Sequence, residues 1–296
     1  MKKMLLIVNP AAGKKKAPKV LTKIISIFNR AGYAVSVYIT AARNEATEIV
    51  AQRASQVDLI VCAGGDGTFN ETVSGLLQSG VDIPIGYIPA GSTNDFAASL
   101  KLPMKPVKAA QAIAEGKPVS YDIGLFGDRH FAYVASFGAF TKSSYSTSQS
   151  VKNALGHTAY LLNGVTELAH IHKIPIKMEL DGEVIEDEFL FGAICNSTSV
   201  GGIIKLNPSD VDMSDGLFEV FLVRSPKKLS HLRKFLRDVS RKKFDNPMVT
   251  FRSAKSVTVY ADPEMSWTLD GEHASGQEKI EIVNRHHAIR LIQKED

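Results

Sequence analysis

The chain has 296 residues, 44% of them hydrophobic and 22% charged, a globular composition that excludes a disordered or collagen-like chain. Its formal net charge of +4 is too small to imply nucleic acid as a partner. The length suits one large domain or two ordinary ones.

The opening "MKKMLLIVNP" has an apolar core that Asn9-Pro10 ends too soon for a secretion signal. It reads as a buried first strand, and the protein is expected in the cytosol. The spacing then predicts a helix over 18–31, with apolar Val20, Leu21, Ile24, Ile25 and Phe28. Next come a strand in "YAVSVYIT", a helix over 45–55, a strand in "VDLIVCAGG", a helix over 70–78, a strand in "IPIGYIPAG" and a short helix from Asp95. Strand and helix alternating at this pitch predict a parallel sheet covered on both faces. Ligands of such sheets gather beyond the carboxyl ends of the strands. The candidate loops are therefore 9–13, 40–43, 64–68 and 90–95.

The pattern changes near Tyr121. "VSYDIGLFGDRHFAYVASFG" and "IPIKMELDGEVIEDEFLFGAICNS" read as strand pairs, turning at Gly127-Asp128 and Asp181-Gly182. "GLFEVFLV", "SVTVYA", "SWTLDGEHAS", "KIEIVN" and "AIRLI" add strands, and helices are expected over 151–172 and 227–244. The fold class is α/β plus mainly β: a three-layer α/β domain over 1–122, then an antiparallel β-sandwich-like domain with added helices over 123–285. The last strand, about 286–296, is expected to pack back on the first domain. No apolar run approaches the roughly 20 residues of a membrane-spanning helix. Cys62 and Cys195 lie in apolar strand-like runs without metal-ligand or CxxC spacing, so both are expected as buried reduced thiols.

"GGDGT", Gly64 to Thr68, follows a strand and precedes a helix. Bare N–H groups and a helix N-terminus there face an anion. It is neither a Walker A loop nor the dinucleotide fingerprint, whose third glycine position is Asn70 here. Alone, such a turn is more often structural. "IPAGSTNDFA" repeats the arrangement, and "NPAAG" adds a third small-residue loop. Exposed backbone N–H beside Asp66 and Asp95 suits a metal-bound polyphosphate, because Mg²⁺ takes one or two carboxylates plus phosphate oxygens and water.

"NPAAG", "GGDGTFNE", "PAGSTNDFA", "YDIG", "NSTSVGG", "SDGLFEV" and "LDGE", in this order, resemble the diacylglycerol kinase catalytic-domain family, nearest its soluble bacterial lipid kinases. The resemblance runs from about Met4 to Ile292. It implies an ATP-binding domain, a β-rich lipid-substrate domain, a cleft that admits the lipid, and phosphoryl transfer from ATP to a lipid hydroxyl. It implies that Asn9, Pro10, Ala11, Ala12 and Gly13 border the nucleotide, with Thr40. It places the phosphates at Gly64, Gly65, Asp66, Gly67, Thr68 and Asn70, with Glu71 behind. Ser92, Thr93, Asn94 and Asp95 belong to the second nucleotide loop.

Asp181-Gly182 and Asp270-Gly271 both read as hairpin turns. The resemblance picks out Asp270 as the general base that takes the proton of the attacking hydroxyl. Glu272, expected on the same face of one strand, is the fallback. In the lipid kinases the segment matching "SDVDMSDGLFEV" holds a structural Mg²⁺. The matching ligands are the Asp215 side chain and the Asp212 and Leu217 carbonyls, linked through water to Asp66, Asp95 or Asp122. "NSTSVGGIIKLNPSDVD" departs from the glycine-rich stretch of many relatives, where a lipid would pass.

"KKLSHLRKFLRDVSRKKF" combines an apolar stripe at Leu229, Leu232, Phe235, Leu236 and Val239 with basic Lys227, Lys228, Arg233, Lys234, Arg237, Arg241, Lys242 and Lys243. A packed helix with a solvated basic face explains it. An anionic phospholipid surface is the partner its charge suits, which makes the protein peripheral to the inner face of the membrane. Lys14, Lys15 and Lys16 face either lipid or ATP. Relatives point to a homodimer. The leading function is ATP:diacylglycerol phosphotransfer giving phosphatidic acid. The alternatives are kinases of a sphingoid base, undecaprenol or phosphatidylglycerol, an NAD kinase on "GGDGT" alone, or a nucleotide sensor without catalysis.

Overall fold

The computed structural model describes residues 1–13, 16–138, 173–200, 204–205, 211–226, 228–240 and 245–294. The helix expected over 151–172 lies outside them, as do Lys14, Lys15, Lys227 and 241–244. The chain divides into two compact units. One comprises Met1–Tyr133, Met213–Gly216 and Arg285–Asp296; the other comprises Val134–Asp212 and Leu217–Asn284.

In the first unit β1 (Lys2–Val8), β2 (Tyr33–Ile39), β3 (Leu59–Gly64) and β4 (Ile85–Pro89) form a parallel sheet. The distal part of the last strand, β17 (Lys279–Gln293), joins it, giving the order β17-β4-β3-β1-β2. Met4–Val8 and Leu59–Gly64 are buried at every position, as a strand covered on both faces must be. Helices α1 (Lys16–Lys19), α2 (Leu21–Arg30), α3 (Glu45–Arg53), α4 (Asp66–Ser79), α5 (Asp95–Ser99) and α6 (Pro106–Glu115) connect them. Met4, Leu6 and Val8 pack with Ile24 and Phe28 of α2 and Ala109, Ala110 and Ile113 of α6. Helices α3 and α4 pack on each other, and α4 lies against β3. The strands β5 (Lys117–Phe126) and β6 (Arg129–Phe131) form a hairpin through Gly127-Asp128, and β5 pairs with β17.

Three helix boundaries differ from the sequence expectation. The segment expected as one helix over 18–31 is α1 and α2, broken at Val20 (φ −120°, ψ 14°). The helix expected from Asn70 begins at Asp66, so most of "GGDGT" is a first helical turn rather than a loop. Gly67 is tolerated there and Asp66 is favoured by the helix dipole. Helix α6 is an addition, with Pro106 in its first turn and Gly116 directly after it.

The second unit is antiparallel. β7 (Val134–Gly138), β8 (Ile174–Leu180) and β9 (Glu183–Cys195) are followed by the short pair β10 (Ser199–Val200) and β11 (Ile204–Lys205), then β12 (Phe218–Arg224). Helix α7 (Leu229–Ser240) precedes β13 (Val249–Ala254), β14 (Ser256–Tyr260), β15 (Trp267–Leu269), β16 (Glu272–Ala274) and the first part of β17. The order runs β16-β15-β7-β9-β8-β14-β17, and β12 bridges β9 to β13. The first half of β9 pairs with β8 and is largely exposed. Its second half pairs with β7 and β12 and is buried throughout. One strand thus serves two sheet regions, the sandwich-like feature of this unit. Trp267 packs edge-on against Phe137, ring centroids 5.0 Å apart.

Candidate active site

Helix α2, which follows β1, and helix α4, which follows β3, pack in the two different helical layers described above, although β1 and β3 are neighbours in the sheet. Such a switch in winding opens a crevice at the strand ends, and the loops after β1, β3 and β4 meet there. Asn9 Nδ2 donates to Thr68 Oγ1 at 2.9 Å, and Asn9 Oδ1 accepts Ala11 N at 2.9 Å. The β3 and β4 loops touch backbone to backbone: Ala90 N donates to Gly64 O at 2.7 Å. A Cβ added at Gly91 would come within 2.6 Å of Gly65 Cα, closer than any side chain tolerates, so glycine is required there.

Asp66 joins the same two loops. Its Oδ2 accepts Asp95 N at 3.1 Å and its Oδ1 accepts Phe96 N at 3.4 Å. The carboxylate that "GGDGT" carries at its centre is therefore answered by the first amides of α5, whose orphan N–H groups need acceptors. Asn94 is buried at φ +55°. Its Oδ1 accepts Gly91 N at 2.8 Å and its Nδ2 donates to Gly91 O at 3.0 Å, so it shapes its own loop. Below the loops Phe69 stacks on Tyr87 (4.5 Å) and on Phe96 (4.7 Å). These rings come from α4, β4 and α5, and each sits one to a few residues from a glycine loop. Burial holds the Tyr87 hydroxyl well above its usual pKa, with the Asp66 charge adding to the rise, so it stays a neutral donor. The Cys62 thiol beneath is pushed up to about 12 by burial.

Ala11, Gly13, Ser92 and Thr93 are exposed at this edge, and Pro10, Ala12, Gly65, Asp66 and Gly67 are half-exposed. Together with the first turn of the 14-residue α4 they form a surface of small residues and helix-end amides that can receive phosphate oxygens. Thr40 is buried, its hydroxyl 3.5 Å from Val8 O. Asn70 donates to His130 O at 3.0 Å. Glu71 accepts Asn44 N at 3.0 Å, and Glu45 accepts Ala41 N (2.6 Å), Ala42 N (3.1 Å) and the Tyr38 hydroxyl (2.5 Å). Those two glutamates hold the 40–44 loop. Glu45, which the sequence reading missed, could have been found only as an acid opening a helix.

Asp122 is fully buried. Its Oδ2 accepts Gly216 N at 2.7 Å, and its Oδ1 accepts His287 N at 2.7 Å and lies 3.1 Å from His286 Nδ1. Asp122 N donates in turn to Met213 O. It fastens the 213–216 turn to the first unit, a role the sequence could not show because the partners lie up to 165 residues away. Asp212 and Asp215 are exposed, and Leu217 O accepts Asn284 Nδ2 at 2.9 Å. This turn offers carboxylate, hydroxyl and carbonyl oxygens, a donor set that fits a hard cation such as Mg²⁺.

In the second unit Asp270 and Gly271 (φ +50° and +84°) turn β15 into β16. Asp270 N donates to Val134 O at 2.9 Å, and Asp270 Oδ1 accepts Val134 N at 3.1 Å. Asp270 is 6% exposed. Asp270 and Glu272 were expected on one strand face; Asp270 instead sits in the turn and Glu272 begins the next strand. Asp181-Gly182 has the same backbone form, but its exposed carboxylate serves Lys255 N, Ser256 N and Ser256 Oγ. Burial of the Asp270 side chain separates the two turns.

An α/β unit whose clustered loops can receive phosphate oxygens, followed by a sandwich-like unit with a buried turn carboxylate, suits a phosphotransferase, and comparison with known proteins makes the class particular. Residues 3–126 match the model for the diacylglycerol kinase catalytic domain, and residues 134–292 match that of the YegS C-terminal NAD kinase beta sandwich-like domain. A protein of Staphylococcus carnosus named diacylglycerol kinase is 33% identical over 100% of this chain and 96% of its own length. One of Bacillus subtilis with the same name is 31% identical over 99% and 96%. A crystal structure described as a diacylglycerol kinase of Bacillus anthracis str. Sterne superposes with a TM-score of 0.77 at 26% identity, covering 99% of this chain and 97% of that one. The chain belongs to the diacylglycerol kinase family: it is a lipid kinase, and its family uses ATP.

Proposed function

We propose that the chain transfers the γ-phosphoryl group of ATP to the hydroxyl of diacylglycerol, giving phosphatidic acid. The observation that carries this reading is the convergence of three loops, after β1, β3 and β4, joined by Asn9–Thr68 and by Asp66 with the amides of Asp95 and Phe96. Asn9 to Gly13, Thr40, Gly64 to Thr68, Asn70, Glu71 and Ser92 to Asp95 form or support the nucleotide site. Amides of the α4 first turn and of Gly65 receive phosphate oxygens, and packing holds them rigidly so that little reorganisation accompanies transfer.

Asp270 accepts the proton of the attacking hydroxyl. Its bond to Val134 N fixes Oδ1 and so orients the carboxylate. Glu272 is the second candidate. Asp215, with the carbonyls of Asp212 and Leu217, would hold Mg²⁺, and Asp66, Asp95 and Asp122 would reach it through water. The ion would supply positive charge against the phosphates. Asp122 contributes by holding the turn through Gly216 N. Diacylglycerol is bilayer-dissolved, so the enzyme works from the cytosol at the inner membrane face.

The test is incubation with γ-labelled ATP, Mg²⁺ and mixed micelles of diacylglycerol, sphingoid base, undecaprenol or phosphatidylglycerol, with NAD in a parallel reaction. Label in phosphatidic acid supports the reading. Label confined to another lipid reassigns the substrate, and label only in NADP overturns it.

A further inference from the structure

Residues 286 and 287 break the alternation of the strand that carries them. Along a β-strand successive side chains point to opposite faces. His286 and His287 are neighbours within β17, yet their rings stack 3.7 Å apart with 26° between the planes. The cause is His287, whose φ of +53° lies in the left-handed region and swings its side chain to the His286 side. A non-glycine residue is disfavoured there, and such strain gathers at functional sites.

Asp122 holds the strained residue in place. His287 N donates to Asp122 Oδ1 at 2.7 Å, and the same oxygen lies 3.1 Å from His286 Nδ1. His287 Nε2 lies 3.1 Å from Ser214 O. The carboxylate is fully buried, whereas both histidines are exposed. All four residues belong to the first unit. A carboxylate oxygen of Asp122 and one nitrogen of each ring lie within 4.8 Å of one another. Among the described residues this is the one group of three carboxylate, imidazole or thiol side chains close enough to share an ion. Four-coordinate Zn²⁺ binds nitrogen and oxygen at about 2.0–2.2 Å, which sets its ligands about 3.3 Å apart. The 3.1 Å between Asp122 Oδ1 and His286 Nδ1 is near that spacing, and exposed rings turn the remaining distance at little cost.

We propose that Asp122, His286 and His287 bind a divalent transition-metal ion of the Zn²⁺ class. The donor set selects the ion: imidazole suits Zn²⁺ and its neighbours, whereas Mg²⁺ takes oxygen ligands. None of the three side chains is a direct ligand of the Mg²⁺ proposed at Asp215. The ion takes the place of the ring proton that otherwise bridges His286 Nδ1 to Asp122 Oδ1. It stiffens the joint between the distal part of β17 and the 213–216 turn, which Gly216 N already ties to Asp122 at 2.7 Å. The site requires neither ATP nor lipid, so its test is independent of the proposed kinase activity.

The full chain, without purification tag or nucleotide, is titrated with Co²⁺ and with Zn²⁺ in a large excess of Mg²⁺. Both cysteines are buried, so thiols do not compete. Wild type is expected to take one ion per chain and to melt at a higher temperature when loaded. Cobalt-shifted imidazole N–H resonances count the histidine ligands in the unsubstituted protein, and two are expected. His286→Asn keeps a donor near the position of Nδ1, His287→Gln keeps one near Nε2, and each removes an imidazole. Even outer-shell partners of a metal are worth about 10- to 100-fold in affinity, so loss of either ring is expected to weaken Co²⁺ binding at least about 100-fold and to abolish the melting shift. His231→Gln removes an exposed imidazole from α7 and should bind as wild type.

No binding by wild type, release of the ion by Mg²⁺, fewer than two shifted imidazoles, wild-type affinity in both histidine variants, or equal loss in His231→Gln each overturns the proposal. Circular dichroism checks that the variants are folded, and the resonances of the unsubstituted protein decide the outcome if they are not.

Discussion

Gly91→Ala is the sharpest perturbation of the proposed phosphate-receiving edge. The backbone at Gly91 is not in the left-handed region, so alanine is locally tolerated. Its added Cβ, however, would lie 2.6 Å from Gly65 Cα and 2.7 Å from Asn94 Oδ1. Carbon atoms pack at about 3.5–4.0 Å, so the β3 and β4 loops must separate by about 1 Å. Overpacking of this kind costs about 1–3 kcal/mol, and the upper part of that range is expected. A shift of about 1 Å in positioning groups lowers kcat/KM by up to about 100-fold. Gly65→Ala meets Gly91 Cα at 3.2 Å, a smaller overlap, and should cost about 1 kcal/mol. Gly80→Ala, at φ +67° with nothing within 4 Å of the added Cβ, should lose about 1–2 kcal/mol from backbone strain alone while leaving the KM for ATP unchanged. Urea melts and ATP titrations of initial rate separate the three. Wild-type kcat/KM in Gly91→Ala would refute the close loop contact as a determinant of the site.

Phe69→Ala removes the middle ring of the Tyr87–Phe69–Phe96 stack and should cost about 3–5 kcal/mol in urea unfolding; a loss below 1 kcal/mol would mean the stack does not support the loops. The Tyr38 hydroxyl, then the Ala41 and Ala42 amides, hold the Glu45 carboxyl below its ordinary range. The native form therefore binds its proton less readily than the unfolded chain. Its stabilising effect is full above the unfolded value of about 4.3 and is lost as pH falls through the lower native value. Glu45→Gln should flatten that part of the stability profile below about pH 4.5 and raise the KM for ATP. Urea midpoints with the same acid slope in both proteins would count against it.

Strand and helix alternation was legible because β1 and β3 are buried on both faces, so their apolar runs are unbroken. The start of α4 was not. Gly64, Gly65 and Gly67 look like loop, yet Gly67 sits where helix ends bear glycine cheaply and Asp66 favours the helix N-terminus. The glycine loops were read correctly as one edge. What joins them was invisible, because Asp66 reaches Asp95 and Phe96 through backbone amides, which sequence does not label. The Asp122 hub shows the same limit: its acceptor role depends on Gly216 and His287, brought together only by the fold. For Asp270, the Asp-Gly turn was readable, but Asp181-Gly182 reads as the same turn; the family resemblance picked out Asp270, and in the structure burial separates the two.

The central claim, that a lipid hydroxyl attacks ATP with Asp270 as base, is tested most directly by Asp270→Asn. The substitution keeps size and one acceptor oxygen for Val134 N but removes the basic carboxylate. Labelled phosphatidic acid formation is followed with diacylglycerol micelles, and ATP binding is measured on the same preparation. The account predicts a fall in kcat of at least about 100-fold with ATP affinity within about twofold of wild type. Wild-type turnover by Asp270→Asn would contradict it.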